Sequence, residues 1–255
     1  MSPIILISND DGINSEGLHR LHEALRELGE VYVVAPDRDQ SAVSHSLSLY
    51  RPLRLDKVAE NVYTVDGTPT DCVNLAINGI LKDKKPDLVV SGINKGENLG
   101  DDITYSGTVS AAMEGTLLGV PSLAVSLASR NDYNFDTACY YSLSISKYVL
   151  NRSLPIDTLL NVNIPNLSKP EIKGVMVTRQ GKRIYEEDVV EKTDPRGKKY
   201  YWIGGDELDY IDIENSDLVA VKEGYVSVTP IKLDLTDFSF MEKLQESLDG
   251  NSEHD

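Results

Sequence analysis

Ile4-Ile5-Leu6-Ile7-Ser8-Asn9-Asp10-Asp11-Gly12 is an apolar strand that runs straight into two adjacent acids, and a helix-period pattern from about Ser15 to Leu28 follows it. The acids therefore sit on a strand-to-helix loop. Unpaired carboxylates at the end of a buried strand are costly, and the remedies are a cation, a basic partner or several backbone N–H groups. In an open parallel sheet such loops are where ligands bind. The stretch predicts an α/β fold with a metal site at the carboxyl edge of its sheet.

Outward from this stretch the first half alternates in the βα manner. Val31–Ala35 reads as a strand that opens a polar loop running through Ser48. A strand pair at Leu53–Leu55 and Val62–Val65 precedes Gly67-Thr68-Pro69-Thr70-Asp71, where Thr68 or Thr70 caps a helix running to about Leu81 and Pro69 fits its first turn. Leu88–Ser91 and Ser122–Ser126 read as strands, Val109–Leu118 and Asp136–Leu150 as helices. Strands so uniformly apolar fit a parallel sheet covered on both faces. The expected architecture is Rossmann-like, with helices on both faces of a mostly parallel sheet.

After about residue 155 the texture changes. Leu159–Ile164, Gly174–Thr178 and Gly224–Pro230 still read as strands, and Asp237–Leu248 as an amphipathic helix. Residues 180–204 are polar and alternating and read as a projecting hairpin, and Asp206–Asp217, with six acids in twelve residues, as a solvated loop. The expected organisation is one domain over 1–250, with a core over 1–155, C-terminal strands, hairpin and helix over 156–250, and a frayed tail at 251–255.

The 255 residues suffice for a full core, and the formal net charge is −16. Such a charge argues against coating a nucleic-acid polymer and opposes anionic substrates at long range. A phosphate ester would thus need local positive charge from a cation, a few basic side chains and helix N-termini. No apolar run approaches the roughly 20 residues that cross a bilayer, so no membrane partner is expected. The chain enters a strand within about three residues and lacks a signal peptide's basic start, which reads as cytoplasmic. Cys72 and Cys139 have no CxxC spacing and read as reduced thiols.

Three loops after apolar strands hold the unusual polar residues: Asn9-Asp10-Asp11-Gly12, Asp37-Arg38-Asp39-Gln40-Ser41, and Ser91-Gly92-Ile93-Asn94-Lys95-Gly96. Two carboxylates with a hydroxyl and an amide oxygen make an all-oxygen set, suited to Mg²⁺, Mn²⁺ or Ca²⁺ and not to a structural zinc. A helix N-cap is the plainer reading of either acid, and a turn that of Ser41 or Asn94. Asn98-Leu99-Gly100 and Tyr105-Ser106-Gly107-Thr108 at a helix start form either an anion site or an ordinary cap. GxxxxGK[ST] is absent, and so is GxGxxG after the first strand, which excludes a P-loop and weakens a dinucleotide site. His45 reads as a surface residue or a proton-transfer group, and Lys95 as a phosphate neutraliser or a partner of Glu97. Trp202 reads as a base-stacking or a subunit-packing residue.

These blocks, with Gly67-Thr68-Pro69-Thr70-Asp71-Cys72-Val73 and Ser106-Gly107-Thr108-Val109-Ser110-Ala111-Ala112, resemble the survival protein E (SurE) family in order and spacing, from Ile4 to the Glu223–Pro230 strand. The resemblance implies a metal-dependent phosphatase of nucleoside monophosphates, a 5′-nucleotidase, with 3′-nucleotidase and exopolyphosphatase activity also known among members. It implies one divalent cation per subunit, Mg²⁺ or Mn²⁺, on Asp10, Asp11, Ser41 and Asn94. Asp10 and Asp11 then carry the catalysis, and Asn9, Asn98, Ser106, Gly107 and Thr108 hold the phosphate. It further implies a dimer or tetramer whose C-terminal hairpin and helix are exchanged between subunits. A receiver domain also pairs acids after its first strand, but it needs an acceptor Asp where this chain has Ser91-Gly92-Ile93-Asn94. A non-catalytic nucleotide-binding protein is the other alternative.

Overall fold

A computed structural model of the chain describes residues 2–184, 189–203 and 209–250. In chain order the elements begin with β1 (Ile4–Ser8), α1 (Glu16–Leu25), β2 (Glu30–Pro36), β3 (Leu55–Ala59), β4 (Val62–Val65) and α2 (Pro69–Leu75), which continues as a π-helical turn over Ala76–Ile80. Next come β5 (Leu88–Lys95), a 3₁₀ turn at Gly100–Thr104, α3 (Gly107–Leu117), β6 (Ser122–Ala128), α4 (Phe135–Asn151) and β7 (Thr158–Pro165). The C-terminal part holds β8 (Val175–Val177), β9 (Lys182–Ile184), β10 (Val189–Thr193), β11 (Lys199–Ile203), β12 (Asp209–Ile211), α5 (Asp217–Lys222), β13 (Val226–Lys232) and α6 (Phe238–Gly250).

The fold is α/β and Rossmann-like. Nine strands form one sheet in the order β3-β4-β2-β1-β5-β6-β7-β13-β8. β4, β2, β1, β5, β6 and β7 run parallel, while β3 and β13 are antiparallel to β4 and β7. Alternate side chains of each central strand enter opposite layers. Ile5, Ile7, Val33 and Val90 pack with Leu18 and Leu21 of α1 and Phe135 and Ile145 of α4. Leu6, Val34 and Val89 pack with Cys72 and Val73 of α2 and Ala111 of α3. The chain leaves β1 toward β2 on one side, and later strands grow from β5 on the other. The crevice between the carboxyl ends of β1 and β5 is therefore the topological switch point.

Local chemistry sets the element ends. Thr68 caps α2 in a full capping box with Asp71, and Pro69 opens the helix, as expected from the sequence. The first strand of the predicted pair lies later than Leu53–Leu55. β3 is an exposed edge strand whose side chains carry no buried alternation to mark its start. β5 runs past Ser91 to Lys95 through a register shift between Ser91 and Asn94. Gly92 makes this possible, since at φ +138° a Cβ would sit 2.3 Å from the Val125 carbonyl oxygen.

The expected hairpin is present as β10–β11, with β9–β12 paired at its base. The acidic stretch at 206–217 is not simply solvated. Residues 209–211 form β12, and Asp217 is fully buried at the start of α5, where it accepts three backbone N–H bonds. Asp206 and Glu207, like the tail at 251–255, lie outside the described residues. Cys72 and Cys139 are free thiols. Among the described residues no helix is long and apolar enough to cross a membrane.

Candidate active site

Asp10 leaves the end of β1 at the switch point and is 6% exposed. Its Oδ1 accepts the hydroxyl proton of Thr108, and the Thr108 backbone N–H also favours the carboxylate. Burial, aided by the charge of Asp11, outweighs these bonds and pushes the Asp10 carboxyl up to about 6. Gly107 leaves room for this approach: a Cβ there would lie 2.7 Å from Asp10 Cβ and 2.9 Å from Oδ2. Asp11 is half-buried. Burial raises its carboxyl, the backbone N–H of Lys95 opposes this, and Asp39 adds to it.

Backbone bonds draw the three sequence-predicted loops together. Gln40 N–H donates to the Asp10 carbonyl at 2.8 Å and Ile13 N–H to that of Pro36 at 2.8 Å, lacing the β1 and β2 loops. Ser41 follows Gln40 directly, its backbone fixed by Asp39 Oδ1 at 2.9 Å. On the other side the Lys95 N–H reaches Asp11, so Asn94 lies one residue from that contact. Asn94 spends its side-chain N–H on the Gly96 carbonyl at 3.0 Å, which leaves the amide oxygen available as a ligand.

The phosphate-holding candidates divide into three. Ser106 caps α3, its Oγ accepting from Val109 N–H at 3.1 Å, while its own proton stays available. Gly107 is the first residue of α3, so its N–H has no intrahelical partner and carries the positive end of the dipole. Thr108, by contrast, turns both its donors to Asp10. Asn98 is 7% exposed and gives one amide hydrogen to Ser126 Oγ at 2.7 Å. Its backbone is gripped by Asn163, which accepts from the Asn98 N–H at 2.8 Å and donates to its carbonyl at 3.0 Å, and by Asn161 at 2.8 Å. Asn9 is fully buried and closes the loop onto the Gly12 carbonyl at 3.1 Å.

These residues fit a divalent cation. Among the described residues no cluster of three His, Cys, Asp or Glu groups forms a metal cage. The set present is two carboxylates, a hydroxyl and an amide oxygen, which suits a hard cation that keeps some of its water. Asn9 Oδ1, Ser8 Oγ and Ser91 Oγ are buried without hydrogen-bond partners around this crevice, Ser8 and Ser91 being direct neighbours across β1 and β5. Orphaned polar atoms of this kind mark a place for water or a ligand.

Several residues carried no clear sequence signal. His45 reaches in from the loop after Ser41, with Nε2 at 2.9 Å from Glu114 Oε2, and Asn74 donates to Oε1 of the same carboxylate at 2.7 Å. Burial raises the Glu114 carboxyl, but the His45 and Asn74 bonds outweigh it and hold it below its ordinary value. His45 thus anchors the Ser41 loop to α3. Lys95 lies over the Tyr133 ring at 5.4 Å. Asn161 and Asn163 were detectable only as two amides on one face of an otherwise apolar strand.

The sequence profile of survival protein SurE matches residues 5–187. The 5′-nucleotidase SurE of Geotalea daltonii is 55% identical over 236 residues, covering 92% of this chain and 95% of the relative. The 5′-nucleotidase SurE of Aquifex aeolicus is 54% identical over 244 residues, covering 95% and 97%. The crystal structure of the SurE protein from Aquifex aeolicus superposes with a TM-score of 0.87 at 53% identity, covering 96% of this chain and 99% of that one.

Proposed function

The chain belongs to the survival protein SurE family, and we propose that it is a 5′-nucleotidase, a metal-dependent phosphomonoesterase that converts nucleoside monophosphates to nucleoside and phosphate. One observation carries the reading. The Asp10-Asp11 pair lies at the switch point of the sheet, with Asp10 braced on the N-terminus of α3, in a chain that matches named 5′-nucleotidases over nearly its whole length.

In this reading Asp10, Asp11, Ser41 and Asn94 would hold one Mg²⁺ or Mn²⁺, which would supply Lewis acidity to the site. The Gly107 N–H, the Ser106 hydroxyl and the second amide hydrogen of Asn98 stabilise charge on the equatorial phosphate oxygens. Thr108 acts through Asp10, and Asn9 frames the loop. Asp11, the more exposed carboxylate, orients the attacking water and takes its proton. Water attacks phosphorus directly, the bond from phosphorus to the nucleoside oxygen breaks, and that oxygen leaves with a proton taken from solvent, with no covalent intermediate.

A homodimer or tetramer that exchanges the hairpin and α6 belongs to the same proposal. Its support is apolar exposure on both elements: Tyr201 and Trp202 on β11, and Phe238, Phe240, Met241 and Leu248 on α6. Two free thiols suit a cytoplasmic setting. Phosphate release from nucleoside 5′- and 3′-monophosphates and from polyphosphate, with Mg²⁺ or Mn²⁺ and with EDTA, tests the function. Metal-dependent release, strongest from 5′-esters, is expected; no release from any nucleotide overturns it.

A further inference from the structure

The loop that bears Asn98 carries three acids beside the phosphate cradle: Glu97, Asp101 and Asp102. Left bare, they would repel a phosphate dianion at the short range where screening is weak. The groups that answer them come from far along the chain, at the base of the β10–β11 hairpin. Arg183 of β9 has a side chain only 9% exposed. Its Nε donates to Asp102 Oδ2 at 2.9 Å, and its Nη2 reaches Glu97 Oε1 at 3.4 Å. Its backbone N–H donates to Asp101 Oδ2 at 3.2 Å, and Lys182 Nζ to Asp101 Oδ1 at 3.1 Å.

The same segment is locked mechanically. Asp217 accepts from Gly100 N–H at 2.9 Å and from Gly181 N–H at 2.8 Å, joining the two loops through one buried carboxylate. Gln180 donates to the Gly100 carbonyl at 3.1 Å. Space is tight at this contact: a Cβ on Gly100 would lie 3.3 Å from the Gly181 carbonyl group, and one on Gly181 would lie 2.8 Å from Asp217 Oδ1.

Glu97 immediately precedes Asn98, and the Asp102 carbonyl accepts the N–H groups of Tyr105 at 3.0 Å and Ser106 at 3.2 Å. The Arg183 fork thus spans both flanks of the proposed cradle, touching one residue beside Asn98 and one bonded to the N-cap of α3. A guanidinium can bridge two carboxylates in fixed geometry, which an ammonium cannot.

Resting on the proposed function, we infer that Arg183 is a positioning residue of the phosphate site, one that neutralises Glu97 and Asp102 and fixes the distance between Asn98 and Ser106. It acts on the substrate through these residues, and it makes the hairpin base a working part of the cradle.

Charge rescue separates this role from simple anchoring of the hairpin. Arg183→Met should raise the KM for a nucleoside monophosphate and the Kd for inorganic phosphate, read by calorimetry on metal-loaded protein, each by about tenfold, with kcat changed less than about threefold. Adding Asp102→Asn to Arg183→Met removes one of the two carboxylates that Arg183 faces and should recover part of the loss in both constants, by about threefold each. Arg183→Lys should fall between, because it restores charge without the fork. Lys199→Met, which breaks the exposed Lys199–Glu191 pair within the hairpin, should leave all constants unchanged. A folded Arg183→Met with wild-type KM and Kd overturns the inference, and so does a double variant that shows no recovery. Should Arg183→Met not fold, Arg183→Lys carries the test, and wild-type constants there overturn it. Phosphate affinity needs no turnover, so an inactive wild type would count against the nucleotidase reading alone.

Discussion

Thr108, in the first turn of α3, donates both its hydroxyl and its backbone N–H to the carboxylate of Asp10 at the end of β1. The hydroxyl bond joins a helix N-terminus to the central strand and fixes Oδ1 of that carboxylate. It also means that Thr108 serves the proposed metal ligand before it serves any phosphate. Thr108→Val keeps the volume and the N–H but removes the hydroxyl. Loss of a hydrogen bond to a charged group costs about 1.5–3 kcal/mol, so metal affinity should fall at least about tenfold. Activation titrated against Mg²⁺ or Mn²⁺ checks this, and an unchanged midpoint would show that the contact does not hold the ligand.

The position of Asp10 sets a pH dependence in the metal-free protein. Its carboxyl holds a proton up to about pH 6 in the folded chain, well above its ordinary value of 3.8. Between those values the folded state binds more protons than the unfolded state, so stability falls as pH rises through the window and levels off above it. The cost at neutral pH is on the order of 3 kcal/mol for a shift of about two units. Asp10→Asn removes it. In EDTA the variant should be more stable than wild type at pH 7 and nearly equal to it at pH 4, while its turnover is abolished. Denaturation curves that shift in parallel at both pH values would contradict this assignment.

Gly107→Ala places a methyl group 2.7 Å from Asp10 Cβ. The helix itself should tolerate alanine, which gains up to about 1 kcal/mol over glycine in helix propensity. Asp10 must move instead. The expected outcome is a fall in kcat/KM of at least about tenfold with little change in melting temperature. Equal losses of activity and stability would point to a distorted helix.

Asn163→Ala strips two hydrogen bonds from the backbone of Asn98, an N–H acceptor at 2.8 Å and a donor to its carbonyl at 3.0 Å. The Asn98 carbonyl keeps its bond from Asn161, but the buried Asn98 N–H is left unpaired at a cost of about 1–3 kcal/mol, so stability should drop by about that much and the KM for nucleotide should rise with it. A lower melting temperature at constant KM would separate the support of Asn98 from substrate binding.

The core and the crevice were legible from sequence because their signals are local. Ile4–Ile7 is apolar before two acids, Thr68 and Pro69 announce a helix start, and parallel strands buried on both faces read as unbroken apolar runs. What escaped depends on partners distant in sequence. β3 is an exposed edge with no pattern to locate it. β5 outruns its apolar run because its last residues pair with β6 beyond a glycine bulge. Asp217 reads as one acid in an acidic stretch, and only the fold brings Gly100 and Gly181 to it. Arg183 looks like a surface charge until β9 is placed against the 3₁₀ turn.

The proposed cation ligands leave the sheet from β1, β2 and β5, which are neighbours in space. Along the chain they are spread from Asp10 to Asn94, and the brace from Thr108 lies further still. No continuous peptide contains the site, so it cannot be cut out as a motif and grafted onto another protein. The smallest portable unit is the set of three adjacent parallel strands together with the helix that abuts them. Trading this chemistry between proteins means trading half a fold.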